Sequence, residues 1–346
     1  MDAVLNETRD LLIFILILGG AVAIHEAGHL VAAILGRVRI LEAGFGLPPR
    51  LATLGTIRGT VVSLNWIPLG GFVRPAGEFG GTDPGDFVQK PRRIQGMVLI
   101  AGPLVNVLTA FVILWAAFML GGPDTDRTRV LEVNPHSPAA AAGLLPDDIV
   151  RWPTYRALNG TPGLSELLRA RAGTPVQFEA ERDGVVFNIE LTPRLHPPQG
   201  EGAAGFTFMA VVRPHAPLEA AGRAGEAMYV MVRSTVDALT GKEAARLVGP
   251  LGLKQATDLS VRGSIRWSSL YPLLYLTAMI HLGLAFTNLL PIPALDGGRL
   301  AMLGLDALGI RLTLRVQRWL AGGTAIGLIC LMALLTVLDV VNPLVK

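Results

Sequence analysis

With 346 residues, 51% of them hydrophobic and only 16% charged, the chain is long enough for two domains and too apolar for an ordinary soluble protein. Its formal net charge of +3, with no basic cluster interleaved with aromatic residues, gives no reason to expect a nucleic-acid partner. The single cysteine, Cys330, excludes an intramolecular disulfide and a cysteine-based zinc site. In its apolar run it reads as a small buried hydrophobe.

The first ten residues carry Asp2, Glu7 and Asp10 against Arg9, unlike the positive start of a cleavable signal peptide. An apolar run from Leu11 to Leu35 follows, about 25 residues with Glu26 as its charge, enough to cross a bilayer. Inside it lies His25-Glu26-Ala27-Gly28-His29. On a helix the two imidazoles leave the same face and can grip one zinc ion, with Glu26 beside them as general base for the attacking water. A histidine pair used for packing, or Glu26 paired with a distant arginine, would leave a buried carboxylate poorly compensated at that depth.

Residues 37–96 form the next segment. Glu42–Pro49 and Gly59–Val73 contain β-branched runs broken by glycines, which read as short strands and turns in a hairpin-like element dipping toward the membrane. Its sheet edge must sit against protein or line a cavity, and an extended substrate segment added to that edge would satisfy it. A second apolar span covers 97–120 and opens with Ala101-Gly102-Pro103-Leu104-Val105-Asn106. Asn106 needs a partner there, and an interhelical hydrogen bond and a contact with substrate are both open.

After a polar linker at 121–128, residues 129–195 read as a compact extracytoplasmic α+β domain. Val130–Val133, Val176–Ala180 and Val185–Leu191 alternate like strands, Asp183-Gly184 is a hairpin turn, and Ser165–Arg171 has helical spacing. Residues 196–269 read as a Pro/Gly-rich linker followed by an amphipathic helical stripe through Ala221, Ala224, Met228, Met231, Val232, Val236 and Leu239.

The third span, 270–290, runs into Asn288-Leu289-Leu290-Pro291-Ile292-Pro293-Ala294-Leu295-Asp296-Gly297-Gly298. Two prolines in three residues break the helix, and a break at membrane depth belongs where it lines a cavity. Asp296 becomes a candidate third zinc ligand. His25 lies about 21 Å down a ~30 Å core, and Asp296 lies just past the inner end of the third span, so both fall in the same third of the membrane. His281, about two turns higher, is better suited to helix packing or a polar groove contact. Residues 291–318 and a fourth span at 319–338 complete the chain.

Arginine and lysine crowd the segments between the first and second spans and between the third and fourth. By the positive-inside rule these face the cytoplasm, and both termini and residues 121–269 lie outside, with Trp115, Phe118, Trp267, Tyr271 and Tyr275 near the outer boundary.

His-Glu-x-x-His in a first membrane helix and Asn-x-x-Pro-x-Pro-x-Leu-Asp-Gly in a later one resemble the site-2 protease family of intramembrane zinc metalloproteases. The Gly-Phe-Gly, Ile-Pro-Leu-Gly-Gly and Gly-Pro-x-x-Asn stretches match as well. Val133–Ala140 leading to Ala142–Val150 resembles a PDZ domain, although Asp147 stands where such domains usually have glycine and Trp152–Leu158 looks inserted. Gly249–Gly252 resembles the stretch before the third helix in bacterial members. The resemblance implies His25, His29 and Asp296 as ligands of Zn2+ and Glu26 as the residue activating water. Asn288, Pro291 and Pro293, with Asn106, would contact an unwound substrate strand. It implies an α-helical protein of the bacterial inner membrane, with about four transmembrane helices, a membrane-associated β-hairpin and a single inserted PDZ-like domain that gates the active site sterically or takes a peptide or pre-cleaved substrate end, the departures at Asp147 and Trp152–Leu158 favouring gating. The partners it implies are the lipid bilayer and single-span membrane proteins such as anti-sigma factors or signal-peptide remnants. A membrane scaffold with a structural metal and a metal transporter are the rival readings; the first needs four protein ligands, and the second inverted repeats that the sequence lacks.

Overall fold

In the computed structural model, residues 2–78, 80–151, 164–198, 200–240 and 248–344 are described. In chain order they form α1 (Asp2–Leu35), β1 (Ile40–Ile57), β2 (Thr60–Pro75), α2 (Arg92–Gly121), β3 (Gly122–Val133), α3 (Pro138–Ala141), β4 (Ile149–Arg151), α4 (Leu164–Ala170), β5 (Val176–Arg182), β6 (Val185–Leu191), β7 (Phe206–Arg213), α5 (Pro217–Leu239), α6 (Pro250–Arg266), α7 (Tyr271–Leu289), α8 (Asp296–Ala307) and α9 (Leu314–Val341). One unit comprises Met1–Ala117 and Ala221–Lys346, and the other Phe118–Ala220.

In the first unit, α1, α2, α7 and α9 are long and apolar enough to cross a membrane. The helices outrun the apolar stretches that announce them: α1 begins at Asp2, and its Asp10 carboxylate is paired with Arg9. The α1–α2 contact is close because Gly28 faces the carbonyl of Ala101, which a Cβ at Gly28 would approach to 2.6 Å. Ala32, Ala33, Val98 and Leu99 extend that contact into a core shared with Val38, Ile40 and Phe87. Farther along α1, Ala21 packs with Leu276 and Ile280 of α7.

By contrast α9 is almost bare, with 6% of its most apolar window buried against 39% for α2. Cys330, expected to be buried, is exposed on this helix. An apolar run in a membrane helix is satisfied by lipid as well as by a core, so hydrophobicity alone does not decide which face is covered. The buried residues of α9 are Leu335 and Asp339, one turn apart. Asp339 accepts a hydrogen bond of 2.8 Å from the Gly252 N–H in the first turn of α6. A Cβ at Gly249 would come within 2.7 Å of that carboxylate, so the Gly-Pro-Leu-Gly stretch clears room for it.

β1 and β2 form a two-stranded antiparallel sheet. One run of pairs closes at Ile57 and Thr60, around Arg58 and Gly59, both with positive φ. A second run pairs Ala43 with Val73 and Phe45 with Gly71. The buried Glu42 accepts from Ser63 Oγ at 2.8 Å and Arg74 Nη2 at 2.8 Å, and pairs with Arg50. Burial works to raise the Glu42 carboxyl, but these donors outweigh it and hold it below the ordinary carboxylate range.

The second unit carries a five-stranded antiparallel sheet ordered β6-β5-β4-β3-β7. Phe178 and Ala180 on β5 and Ile189 and Leu191 on β6 face inward, where they meet Val130, Val150, Leu164, Leu168 and Phe206. The β5–β6 turn at Asp183-Gly184 has positive φ at both residues, as the dipeptide predicts. Two stretches depart from expectation. Residues 122–128, expected as a linker, are the first half of β3, and β7 lies where linker and helix were expected. The two strands pair with each other, and Arg213 bonds Asp124 across them at 2.7 Å. A polar segment becomes a strand here because its partner supplies the hydrogen bonds and the counter-charge. Asp147 has a φ of 70°, so it takes up the left-handed conformation in which glycine was expected. The suspected insertion Trp152–Leu158 lies outside the described residues, as do residues 241–247 beyond the α5 stripe.

Asp148 fastens this unit. Its buried carboxylate accepts from Leu145 N–H at 2.8 Å and from Arg182 Nε and Nη2 at 2.7 and 2.8 Å. Burial works to raise the Asp148 carboxyl, but the Arg182 and Leu145 donors outweigh it and hold it below the usual range. A depressed carboxyl contributes stability that is complete above about pH 4 and is lost as pH falls further toward its folded value. Asp148→Ala should cost about 2 kcal/mol at neutral pH, and the wild-type advantage should shrink below about pH 4. Hydrogen exchange of the β4 and β5 amides in the full chain reads both effects.

Candidate metal centre

α1 carries His25 and His29 one turn apart, and the rings meet edge to face with centroids 4.7 Å apart. The third member arrives from a broken helix. α7 stops at Leu289, and Leu290–Leu295 turns back on itself through hydrogen bonds from Ile292 N to Leu290 O and from Leu295 N to Ile292 O, at 2.7 and 2.8 Å. Pro291 and Pro293 lie in this turn, where neither could continue a helix. α8 then starts at Asp296, and Gly297 and Gly298 are obligatory: a Cβ on Gly297 would lie 2.2 Å from the Leu289 carbonyl at the end of α7, and one on Gly298 2.1 Å from the Ile292 carbonyl of the turn. α8 is also tied down by Arg92 Nε to Asp306 at 2.9 Å and by an Arg299–Glu78 ion pair.

The result is a tight triangle. His25 Nε2 lies 3.1 Å from Asp296 Oδ2, His29 Nε2 lies 3.2 Å from it, and the two nitrogens are 3.1 Å apart. Ligand atoms about 2.0–2.1 Å from a common tetrahedral zinc are separated by about 3.3 Å, so the donor set fits that ion in both chemistry and spacing. Three protein ligands is the number found at catalytic zinc, whereas structural sites use four. Among the described residues, these three are the ones grouped in this way.

The surroundings hold the ligands still. His29 Nδ1 lies 2.7 Å from the Val98 carbonyl, which fixes it as the protonated nitrogen and leaves the Nε2 lone pair facing the triangle. Gly102 of α2 lies against both rings: a Cβ there would be 2.4 Å from His29 Nε2 and 2.8 Å from His25 Cε1. Glu26 is next to the cluster, and its Oε2 accepts a 2.9 Å hydrogen bond from the Val73 N–H of β2. That amide faces α1, so the hairpin expected from sequence abuts α1, with Gly70 (φ 86°) pressed on Val22.

Two of the expected substrate contacts also make hydrogen bonds within the protein. Asn106 is fully buried, with its amide between His25 Nδ1 at 3.3 Å and His281 Nδ1 at 3.1 Å. Of the two roles left open for it, the structure favours the interhelical hydrogen bond. Asn288 Nδ2 donates to Leu284 O of its own helix at 3.0 Å. Pro291 is exposed and Pro293 half-buried. The contacts that the sequence does not reveal are the backbone ones, Val98 O and Val73 N–H, for which no side-chain motif exists.

A profile of Peptidase family M50 matches residues 13–334. The chain belongs to that family. It is 27% identical to metalloprotease MmpA of Caulobacter vibrioides over 88% of both chains. It is 26% identical to zinc metalloprotease RasP of Geobacillus kaustophilus over 87% of this chain and 90% of that one. A chloroplastic membrane metalloprotease of Arabidopsis thaliana, ARASP, is 27% identical over 91% of this chain. As a member of the family the chain is a zinc-dependent protease of a membrane, and the scaffold and transporter readings fall away.

Proposed function

We propose that this chain hydrolyses peptide bonds within or beside the transmembrane segments of single-span membrane proteins, at a zinc held by His25, His29 and Asp296. The observation that carries the reading is the meeting of three ligand atoms from α1 and α8 within 3.2 Å of one another, beside a glutamate. When bound, the ion polarises a carbonyl and acidifies a water. Glu26 takes the proton of the attacking water and delivers it to the leaving amine. A substrate helix hides its peptide bonds in its own hydrogen bonds, so the cleaved segment has to be extended. The β1–β2 element beside Glu26 offers the sheet edge to which that segment adds, and Asn288, Pro291 and Pro293 line its other side.

The distribution of arginine and lysine supports a cytoplasmic β1–β2 element and α8, with both termini and the β3–β7 unit outside the bacterial inner membrane. That unit, residues 129–195 with β7, is PDZ-like, and its proposed role is steric gating of substrate, with capture of a peptide or a pre-cleaved substrate end as the second reading. Anti-sigma factors and signal-peptide remnants are the substrate class, which makes the reaction a step of regulated intramembrane proteolysis.

The test uses the purified full-length chain in detergent with a tagged single-span substrate. Chelation should stop cleavage, zinc should restore it, and the product ends should map inside the apolar segment. Cleavage that survives complete removal of zinc, or cuts confined to soluble flanks, would overturn the proposal.

A further inference from the structure

The Asn106 amide joins three helices. It lies 3.3 Å from His25 Nδ1 on α1 and 3.1 Å from His281 Nδ1 on α7, and all three side chains are at least 95% buried. Its oxygen and nitrogen can exchange places, and only two arrangements satisfy the row. In one, the orientation recorded here, Asn106 Nδ2 donates to His25 Nδ1, so His25 carries its proton on Nε2 and His281 donates to the amide oxygen. In the other, which a metal on His25 Nε2 would select, the amide is turned over: His25 Nδ1–H donates to its oxygen, His25 Nε2 presents a lone pair, and the amide nitrogen donates to His281 Nδ1. The second requires His281 to be protonated on Nε2 alone. The tautomer at residue 281 is therefore coupled, through one amide, to the nitrogen that His25 turns toward Asp296.

We infer that Asn106 and His281 are positioning residues for the metal centre, with His281 setting the orientation of the Asn106 amide and thereby holding His25 Nε2 free to ligate. The inference rests on the metal ligands proposed above. His281 is seven residues before Asn288 and belongs to neither metal motif, so its part arises from the packing of α7 on α2 and α1. A metal-ligating histidine whose other nitrogen loses its partner typically loses about 10–100-fold in metal affinity.

Zinc affinity, measured by competition with a chromogenic chelator on the full chain in detergent, tests this without reference to cleavage. His281→Leu removes the acceptor and should weaken zinc binding about 10-fold or more. His281→Gln supplies a carbonyl acceptor and should restore most of it. Asn106→Leu should weaken binding about 10–100-fold, whereas Asn106→Asp keeps an acceptor toward His25 and should bind nearly as the wild type does. The double variant His281→Leu/Asn106→Leu should be no weaker than Asn106→Leu alone. Wild-type affinity in His281→Leu, additive losses in the double variant, or an equal fall in unfolding temperature of the zinc-loaded and zinc-stripped His281→Leu protein would overturn the inference. If His281→Leu does not accumulate, equal affinities for Asn106→Asp and Asn106→Leu overturn it. A wild-type chain that binds no zinc would remove the metal centre itself, a failure distinct from these.

Discussion

Glu26→Gln should reduce cleavage of a single-span substrate by about 10²–10⁴-fold and leave zinc content unchanged. Glu26 is not one of the three converging ligands, so the metal triangle survives the change. The amide oxygen of the variant still accepts from the Val73 N–H, so β2 keeps its place beside α1. What disappears is the ability to take a proton from the attacking water. The loss should fall on kcat rather than KM, because the interaction belongs to the transition state. Zinc by elemental analysis and cleavage by gel assay check the two halves separately. Wild-type turnover in the variant would take Glu26 out of the chemistry, and zinc loss would make it structural.

Gly102→Ala should lose zinc and activity together, by about two orders of magnitude. The new methyl would sit 2.4 Å from His29 Nε2, 2.7 Å from His29 Cε1 and 2.8 Å from His25 Cε1. Neither ring can step aside, because His29 is held by the Val98 carbonyl and His25 by Asn106. Alanine is the better helix former by about 1 kcal/mol, but forcing a methyl into a filled site costs about 1–3 kcal/mol, so the protein should melt no higher than the wild type. A folded protein that binds zinc about 100-fold more weakly is therefore the expected outcome, and zinc titration alongside a melting curve reads it. Gly28 on the facing helix differs: its methyl would strike the backbone of Ala101, so its cost falls on helix packing.

The sequence made most of the site legible because metal chemistry constrains side chains at fixed spacing. His25 and His29 had to be one turn apart, and the paired prolines before Asp296 had to end a helix. The four apolar spans were visible for a similar reason, since a bilayer demands a length and an apolar composition. What stayed hidden depends on partners distant in the chain. The Val73 amide that meets Glu26 is 47 residues away, and no side-chain signal marks a backbone donor. β7 and the start of β3 satisfy each other, so neither looks like a strand alone. Asn106 read as a polar residue in need of a partner, but only the packing of α7 shows that the partner is His281. Cys330 was misjudged because an apolar sequence does not distinguish lipid from core.

The buried turn of α9 at Leu335 and Asp339 bears on how the molecule meets its surroundings. The apolar stretch of this helix, residues 319–338, is about 30 Å long and matches the hydrocarbon core, with Arg315 and Arg318 just before it. The anchored turn therefore falls at the end of the helix away from those arginines. Over the rest of its length α9 shows its side chains to whatever surrounds the protein, so changes on that outer face should leave the alignment of the histidines untouched.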